Sequence, residues 1–417
     1  MREPSLTVVA VFFEMRREAA RTLYTLSPEY QRGVEAADYE VVAIDNGSTD
    51  PLSESEVTRF GSNFKLMRNP RGHQSPAAAI NQVAAEVSTP WLMCLVDGAR
   101  MLTPGILVWA LRAFREHREP FVYTIGMHLG PASQNDLVEA ARLAVGPSRE
   151  SLVEWIQHLE GSRSWRITRP LRSIAALLRR LLRRRPSPVA PPALEGVEAA
   201  AETSNQSLVE WIHRLEGSRS WRITRPLRSL AAFARRLLRR SQSQPALPAP
   251  SDEQVRGYSR EAEDRLLDSV DWRRNGYELF TISTPAASVG DRGFTLEVWE
   301  SNCFALRRET YLEAGGFDER FRSPGGGLVN LDLFKRLAED PKLTPICLLG
   351  EATFHQFHGG VATNVSLNDH PWDSFEAEYE AIRGQAYHPP IGREPLYLGE
   401  VPEEARYLVR SETSLPG

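Results

Sequence analysis

Tyr39-Glu40-Val41-Val42-Ala43-Ile44-Asp45-Asn46-Gly47-Ser48-Thr49-Asp50 is a short apolar, β-branched run that stops abruptly at turn-forming polar residues. Such a run, bounded by Asp, Asn, Gly and Ser, reads as a buried strand with a tight turn at its carboxyl end. The pattern occurs twice more. Before it, Thr7 to Phe13 is apolar and turns charged at Glu14; after it, Trp91 to Val96 stops at Asp97-Gly98. Arg16 to Leu26 and Pro76 to Val87 lie between these runs and carry apolar residues at helical spacing. The alternation predicts an α/β fold with a mostly parallel, doubly wound central sheet flanked by helices. Ligands of such sheets bind beyond the carboxyl ends of the strands, where Glu14, Asp45 and Asp97 all fall.

The chain has 417 residues, enough for about two domains or for one carrying a large insertion. Its formal charge of −4 conceals an uneven distribution, because arginine is concentrated between Arg163 and Arg240 while acids prevail towards both ends. Cys94, Cys303 and Cys347 are widely spaced and set in apolar sequence, as expected of buried thiols in a reducing compartment, and no metal-binding CxxC occurs. The N-terminal apolar run is too short and wrongly flanked for a signal peptide or a membrane span. The expected location is therefore the cytoplasm, including the inner face of the membrane.

From about residue 135 the character changes. Ser151-Leu152-Val153-Glu154-Trp155-Ile156 recurs as Ser207-Leu208-Val209-Glu210-Trp211-Ile212, and the match continues from Glu160 to Arg172 and from Glu216 to Arg228. These are tandem repeats, about 151–184 and 207–240, each roughly 34 residues long. Segments rich in Pro, Ala and Ser follow both, at Pro186 to Pro192 and Ser241 to Pro250, and read as linkers. Pro170 and Pro226 open basic amphipathic helices, with Leu171, Ile174, Leu178 and Leu181 on one stripe and arginines around the rest. Two readings stand side by side: attachment to an anionic membrane surface or acidic partner, and a helical hairpin whose arginines are merely solvated. Nucleic acid is not an expected partner, since nothing resembles a stacking platform.

The globular pattern resumes near residue 255. Helices are expected over Glu261 to Val270, Arg308 to Ala314 and about Asn330 to Ala338, with a strand over Trp299 to Leu306. This divides the chain into a nucleotide-binding half (1–134), the duplicated Arg-rich insertion (135–254), a second half of the same fold (255–380) and a C-terminal tail (381–417).

Several motifs together resemble the inverting family 2 glycosyltransferases. Val8 to Ser27 followed by Val41 to Asp50 is similar to that family's opening, where the strand-end Asp-Asn-Gly-Ser binds the nucleotide. Asn69-Pro70-Arg71-Gly72 with Ala77 to Asn81 is similar to its next turn and helix, and Leu95-Val96-Asp97-Gly98-Ala99 stands at its DxD metal site. Asn302 to Phe304, Gly315-Gly316-Phe317-Asp318-Glu319 and Gly325 to Arg336 resemble the acceptor-side block shared with galactosyltransferase-like enzymes.

The resemblance implies a GT-A fold with a helical insertion and transfer of a hexosyl group from a UDP- or dTDP-linked donor to a glycan acceptor, in cell-surface polysaccharide synthesis. It implies Mg or Mn as cofactor and Phe12, Glu14, Asp45, Asn46, Gly47 and Arg71 as nucleotide-binding residues, with Arg100 a second candidate for the diphosphate. Asp97, His355 and His358 become metal ligands, because Ala99 replaces the second acid and the two histidines stand where related enzymes carry a ligating histidine. The spacing of three between those histidines suits a structural hydrogen-bonded pair as well. Val329 and Asn330 replace the Glu-Asp expected before the last helix, leaving Asp332 as the nearest carboxylate and the expected catalytic base; the other reading is an acid favoured by the helix dipole.

These missing acids sustain an alternative, a catalytically degenerate transferase-like domain serving as a glycan-binding or scaffold protein. A Rossmann dehydrogenase, a third reading of the alternating pattern, is disfavoured because Phe12-Phe13-Glu14-Met15 stands where a Gly-rich turn is needed.

Overall fold

A computed structural model describes residues 3–69, 72, 75–131, 134, 258–286, 293–294, 298, 300–362, 364–365, 370–391 and 394–409. The duplicated segments, their linkers and Arg71 lie outside the described residues.

The first strand, β1 (Leu6–Phe12), is buried along its whole length. Its side chains nonetheless sort by parity: Val9 and Val11 enter one hydrophobic cluster, while Val8, Ala10 and Phe12 enter the other. This period of two divides the core into a layer on each face of the sheet. β2 (Tyr39–Asp45) and β4 (Trp91–Leu95) flank β1 in parallel, and β3 (Phe64–Arg68) continues beyond β2. Helices α1 (Arg16–Thr25) and α4 (Ile106–Glu116) cover one face with Ala19, Leu23, Ile106 and Ala110, and α3 (Ala77–Glu86) covers the other with Ile80 and Val83. A short α2 (Glu54–Thr58) starts at a capping box between Ser53 and Glu56.

The strands on either side of the interruption share one sheet. β6 (Pro120–Leu129) precedes residue 135, and it pairs with β7 (Ser283–Pro285), β8 (Cys303–Arg307) and β9 (Thr344–His355), all of which follow it. With β5 (Arg100–Leu102) against β9 and β10 (Leu396–Gly399) at one edge, the order among the described residues is β10-β9-β6-β8-β4-β1-β2-β3. β8 is antiparallel to β4 and β6, so the sheet is mixed and mostly parallel. Four helices complete this part: α5 (Arg260–Asp268), α6 (Arg308–Glu313), α7 (Val329–Glu339) and α8 (Trp372–Arg383). α7 packs Leu333, Phe334 and Leu337 into the α3 side of the core.

The three cysteines are buried free thiols. No helix among the described residues is long and apolar enough to cross a membrane.

Candidate active site

Because β4, β1 and β2 are adjacent and in register (Phe12 opposite Asp45, Ala10 opposite Leu95), Glu14, Asp45 and Asp97 emerge at one carboxyl edge. Asp45 is 3% exposed and spends its oxygens on its own turn. Oδ1 accepts the amides of Gly47 (3.2 Å) and Ser48 (3.0 Å), and Oδ2 accepts that of Leu52 (2.9 Å). It therefore shapes the turn that the sequence reading expected to bind a nucleotide. Asn46 donates its amide to Phe12 O and accepts Asn69 Nδ2 on its side chain (2.9 Å). Gly47 is required: its φ is +91°, and a Cβ there would lie 2.6 Å from Gly72 Cα. The 45–48 and 69–72 turns consequently pack backbone to backbone.

Glu14 is exposed and, among the described residues, the sole non-glycine with positive φ (55°). It is held there by its amide donating to Ser48 Oγ (2.9 Å) and by Oε1 accepting Thr49 N (2.6 Å). Left-handed backbone at a non-glycine costs about 1–3 kcal/mol and is concentrated at functional sites. The Phe12 ring, in contrast, is 1% exposed. A Cβ on Gly98 would meet it at 2.5 Å, so Phe12 serves as a wall beneath the Asp97 turn and reaches the rim only through its backbone.

Asp97 faces two imidazoles. His355 ends β9, opposite Arg100 of β5 and His128 of β6, which brings three chain segments distant in sequence to one point. Asp97 Oδ2 is 3.0 Å from His355 Nε2, Oδ1 is 4.0 Å from His358 Nε2, and the two Nε2 atoms are 3.1 Å apart. One ligand atom from each of the three residues thus lies within 4.8 Å of the others. His355 Nδ1 is 2.7 Å from Gln134 Oε1, while Gln134 Nε2 donates to His355 O (2.9 Å). That orientation makes Gln134 Oε1 the acceptor, so the His355 proton sits on Nδ1 and its Nε2 lone pair points at Asp97 and His358. Asn364 completes the support: Nδ2 donates to Gln134 Oε1 (2.7 Å), and Oδ1 accepts the amides of His358, Gly359 and Gly360.

The electrostatics suit a cation. Burial lowers His355 to about 4 and also lowers His358, so both are neutral near pH 7. Burial opposes ionisation of Asp97, but the positive charge of its neighbours, the imidazoles when protonated and the Arg100 guanidinium permanently, outweighs it and holds the carboxyl well below the usual carboxylate range. A carboxylate with two neutral imidazoles is the protonation state a metal needs. A lone pair 3.0 Å from a carboxylate oxygen is repulsive until a proton or a cation lies between them. The donor set therefore fits a divalent ion, and its two nitrogens favour manganese over magnesium, which prefers oxygen ligands. Arg100, 5% exposed and 3.4 Å from Asp97 Oδ2, adds a fixed positive charge at the same point.

Asp332 has a different setting from the one expected of a base. It is 1% exposed; Oδ1 accepts Arg383 Nε (2.6 Å), and Oδ2 accepts Arg336 Nε (2.9 Å) and Arg383 Nη2 (2.7 Å). Arg336 also donates to Ala314 O and Gly316 O (both 2.6 Å), so the group ties α7 and α8 to the turn after α6. Buried, and with both oxygens accepting from guanidiniums, this carboxylate is closed off from an acceptor hydroxyl. Asp318 also belongs to the clamp, lowered to about 2 by its hydrogen bond from Arg320 and by Arg383 nearby. Glu319 accepts Asn81 Nδ2 (2.9 Å).

The sequence reading passed over Gln134, Asn364, His128 and Glu300. Gln134 and Asn364 carry no local motif, and only the folded chain brings them to His355. His128 lies in a continuous buried strand, and its ring centroid is 5.6 Å from that of His355.

Residues 7–97 match the family described as Glycosyl transferase family 2, a span that ends on Asp97. No curated protein matches the chain. Among solved structures, S. aureus TarS is similar at 17% identity over 29% of this chain and 21% of that one, with a TM-score of 0.26. Its 1–349 portion in complex with UDP is similar at 18% identity over 31% of this chain and 39% of that one, with a TM-score of 0.27. The same portion in complex with UDP-GlcNAc is similar at 18% identity over 31% and 38%, again with a TM-score of 0.27. This chain therefore spans well under half the length of these structures.

Proposed function

We propose, from the family 2 glycosyltransferase segment of GT-A type that residues 7–97 give this chain, that it transfers a sugar from a UDP- or dTDP-linked donor to a glycan hydroxyl with inversion, in cell-surface polysaccharide synthesis. The carrying observation is the convergence of Asp97, His355 and His358 on the carboxyl edge of the sheet, at the point where the family match ends. In this reading Asp97, His355 and His358 hold manganese, which when bound neutralises the diphosphate leaving group. Arg100 adds positive charge beside it. The turn held by Asp45, with Asn46 and Gly47 on it and Glu14 bonded to Ser48 and Thr49, forms the nucleotide's floor. Gln134 and Asn364 fix the two imidazoles so that binding requires little rearrangement.

A second reading, a glycan-binding or scaffold protein without turnover, is favoured by one feature, the engagement of both Asp332 oxygens by arginines. A thermal-shift panel of UDP, dTDP, GDP and CDP with and without manganese separates the two. The transferase reading expects one base to be preferred, with a shift that grows on adding manganese and is lost in Asp97→Asn. No shift with any nucleotide at any metal concentration would leave the scaffold.

A further inference from the structure

We infer that Glu300 is the general base that deprotonates the acceptor. The inference rests on the transferase reading above and supplies the carboxylate that Asp332 cannot.

The position follows from the strand ladder. β8 runs antiparallel to β4 with Leu95 opposite Cys303, and Val96 N donates to Asn302 O (3.0 Å). Asn302 thus lies beside Val96, the residue before Asp97. Glu300, two residues earlier, belongs to the segment that leads into β8 at the carboxyl edge of β4, the edge at which Asp97 emerges. Ser301, 2% exposed, fixes the chain there by donating Oγ to Thr124 O and Cys303 O (2.8 Å each).

The carboxylate is oriented. Glu300 Oε1 accepts Asn330 Nδ2 (3.0 Å) from the first turn of α7 and Asn302 Nδ2 (3.3 Å). Asn330 is 6% exposed and also donates to Ser301 O (3.2 Å), while its own Oδ1 is buried without a hydrogen-bond partner. Turning that amide over would point Oδ1 at two acceptors, so its orientation is fixed by Glu300 and Ser301 at the expense of an unsatisfied oxygen. Buried polar atoms are rarely left unpaired, and exceptions concentrate where function demands them. Among the described residues Oε2 accepts no hydrogen bond, and Glu300 itself is partly exposed.

The competing rim carboxylates are engaged. Asp45 is consumed by three backbone amides, Glu14 is tied through Thr49 N to the turn assigned to the nucleotide, Asp97 faces the imidazoles, and Asp332 is clamped. Glu300 therefore joins a fixed geometry to an available oxygen. In the step, an acceptor hydroxyl gives its proton to Oε2 as its oxygen bonds to the anomeric carbon of the nucleotide sugar. The bond from that carbon to the diphosphate breaks, and the nucleoside diphosphate leaves with the electron pair. Asn330 is a positioning residue for the carboxylate.

The test separates the proton from the sugar. Full-length wild type and Glu300→Gln are given UDP- and dTDP-linked hexoses with manganese, with water as a protic acceptor and azide as one that carries no proton. Glu300→Gln is expected to lose about 10²- to 10⁴-fold in donor hydrolysis. Azide transfer and nucleotide thermal shifts should stay within about threefold of wild type, the scale on which a retained binding step reads as unchanged. Asn330→Ala should lower the rate of hydrolysis with little change in the KM for the donor, because it releases the carboxylate from its fixed orientation, and should spare azide transfer. Retained hydrolysis in Glu300→Gln would overturn the assignment while leaving the transferase reading intact, and parallel loss of hydrolysis and azide transfer would show a structural role instead. A wild type that transfers sugar to neither acceptor would overturn both readings.

Discussion

Asp332 meets two guanidiniums, whereas Asp97 meets two imidazoles with the Arg100 guanidinium beside them, and the two arrangements differ in character. Around Asp332 the partners are permanently charged guanidiniums: Arg383 binds in a bidentate way and also meets Asp318, while Arg336 donates once and spends its remaining donors on the backbone carbonyls of Ala314 and Gly316. Around Asp97 the partners are imidazoles that burial keeps neutral, with His355 held in the tautomer that aims a lone pair at the carboxylate. The first arrangement is complete as it stands. In the second, Arg100 offsets the carboxylate's charge but the His355 lone pair still faces an oxygen and is open to a proton or a metal ion, so a carboxylate near a basic residue is informative only once the charge state of that residue is known.

The comparison predicts different outcomes for one substitution at the two places, and this is the largest effect expected. Asp332→Asn removes the charge between two partly buried arginines, and such losses cost about 3–5 kcal/mol. Asp97→Asn leaves Arg100 without its carboxylate but gives His355 Nε2 an amide donor in place of a repelling oxygen, so the metal-free protein should lose less, about 1–3 kcal/mol. Wild type should gain about 3 kcal/mol from manganese at a hundred times its dissociation constant, and Asp97→Asn should gain none. Urea unfolding with and without manganese measures all three. Equal destabilisation by the two substitutions would make the Asp97 group an ordinary structural ion pair.

Glu351 sharpens the contrast because it is fully buried with neutral donors only: Thr103 Oγ1, Gly105 N and Tyr277 Oη. Burial raises it from 4.5 to about 7 against the pull of those hydrogen bonds. The folded state therefore holds this proton over a range in which the unfolded chain has released it. The associated stability is fully present below pH 4.5 and is lost as pH rises through 7, a change of up to about 3 kcal/mol. Glu351→Gln carries no such proton, so its stability relative to wild type should increase from pH 4.5 to 8. A wild-type-minus-variant difference that stays flat over that interval would show the carboxyl to be ionised throughout.

The early strands were legible because β1, β2 and β4 are uninterrupted apolar runs closed by turn residues, and their observed bounds differ from the reading by a residue or two at each end. α7 was legible from its spacing. β9 was not read as a strand, and its register explains part of the difficulty: Cys347 pairs with Tyr123 but Ala352 with Ile125, so an excursion that includes Gly350 at φ +74° breaks the alternation. Asp97, His355 and His358 were named together only through the resemblance to a known family, and the structure places them side by side. The fate of Asp332 was not legible, since one of its two arginines lies 51 residues away on another helix. Glu300 was invisible for a related reason: a single acid gives no signal until α7 places Asn330 against it.

The smallest predicted effect concerns the side chains behind the imidazoles. Gln134 fixes the His355 proton on Nδ1, and Asn364 gathers the amides of residues 358–360 and so holds His358 in place. Neither touches the ligand space, and removing such support generally costs 10- to 100-fold in metal affinity. The two should fail differently. Asn364→Ala frees three backbone amides in a turn next to solvent, so it should weaken manganese binding with little dependence on pH. Gln134→Ala releases the His355 tautomer, and protons then compete for Nε2; its loss in affinity should deepen as pH falls from 8 to 6. Manganese titrations followed by thermal shift at both pH values would reveal this. Identical pH dependence in the two variants would mean that Gln134 merely packs against His355 and does not direct its lone pair.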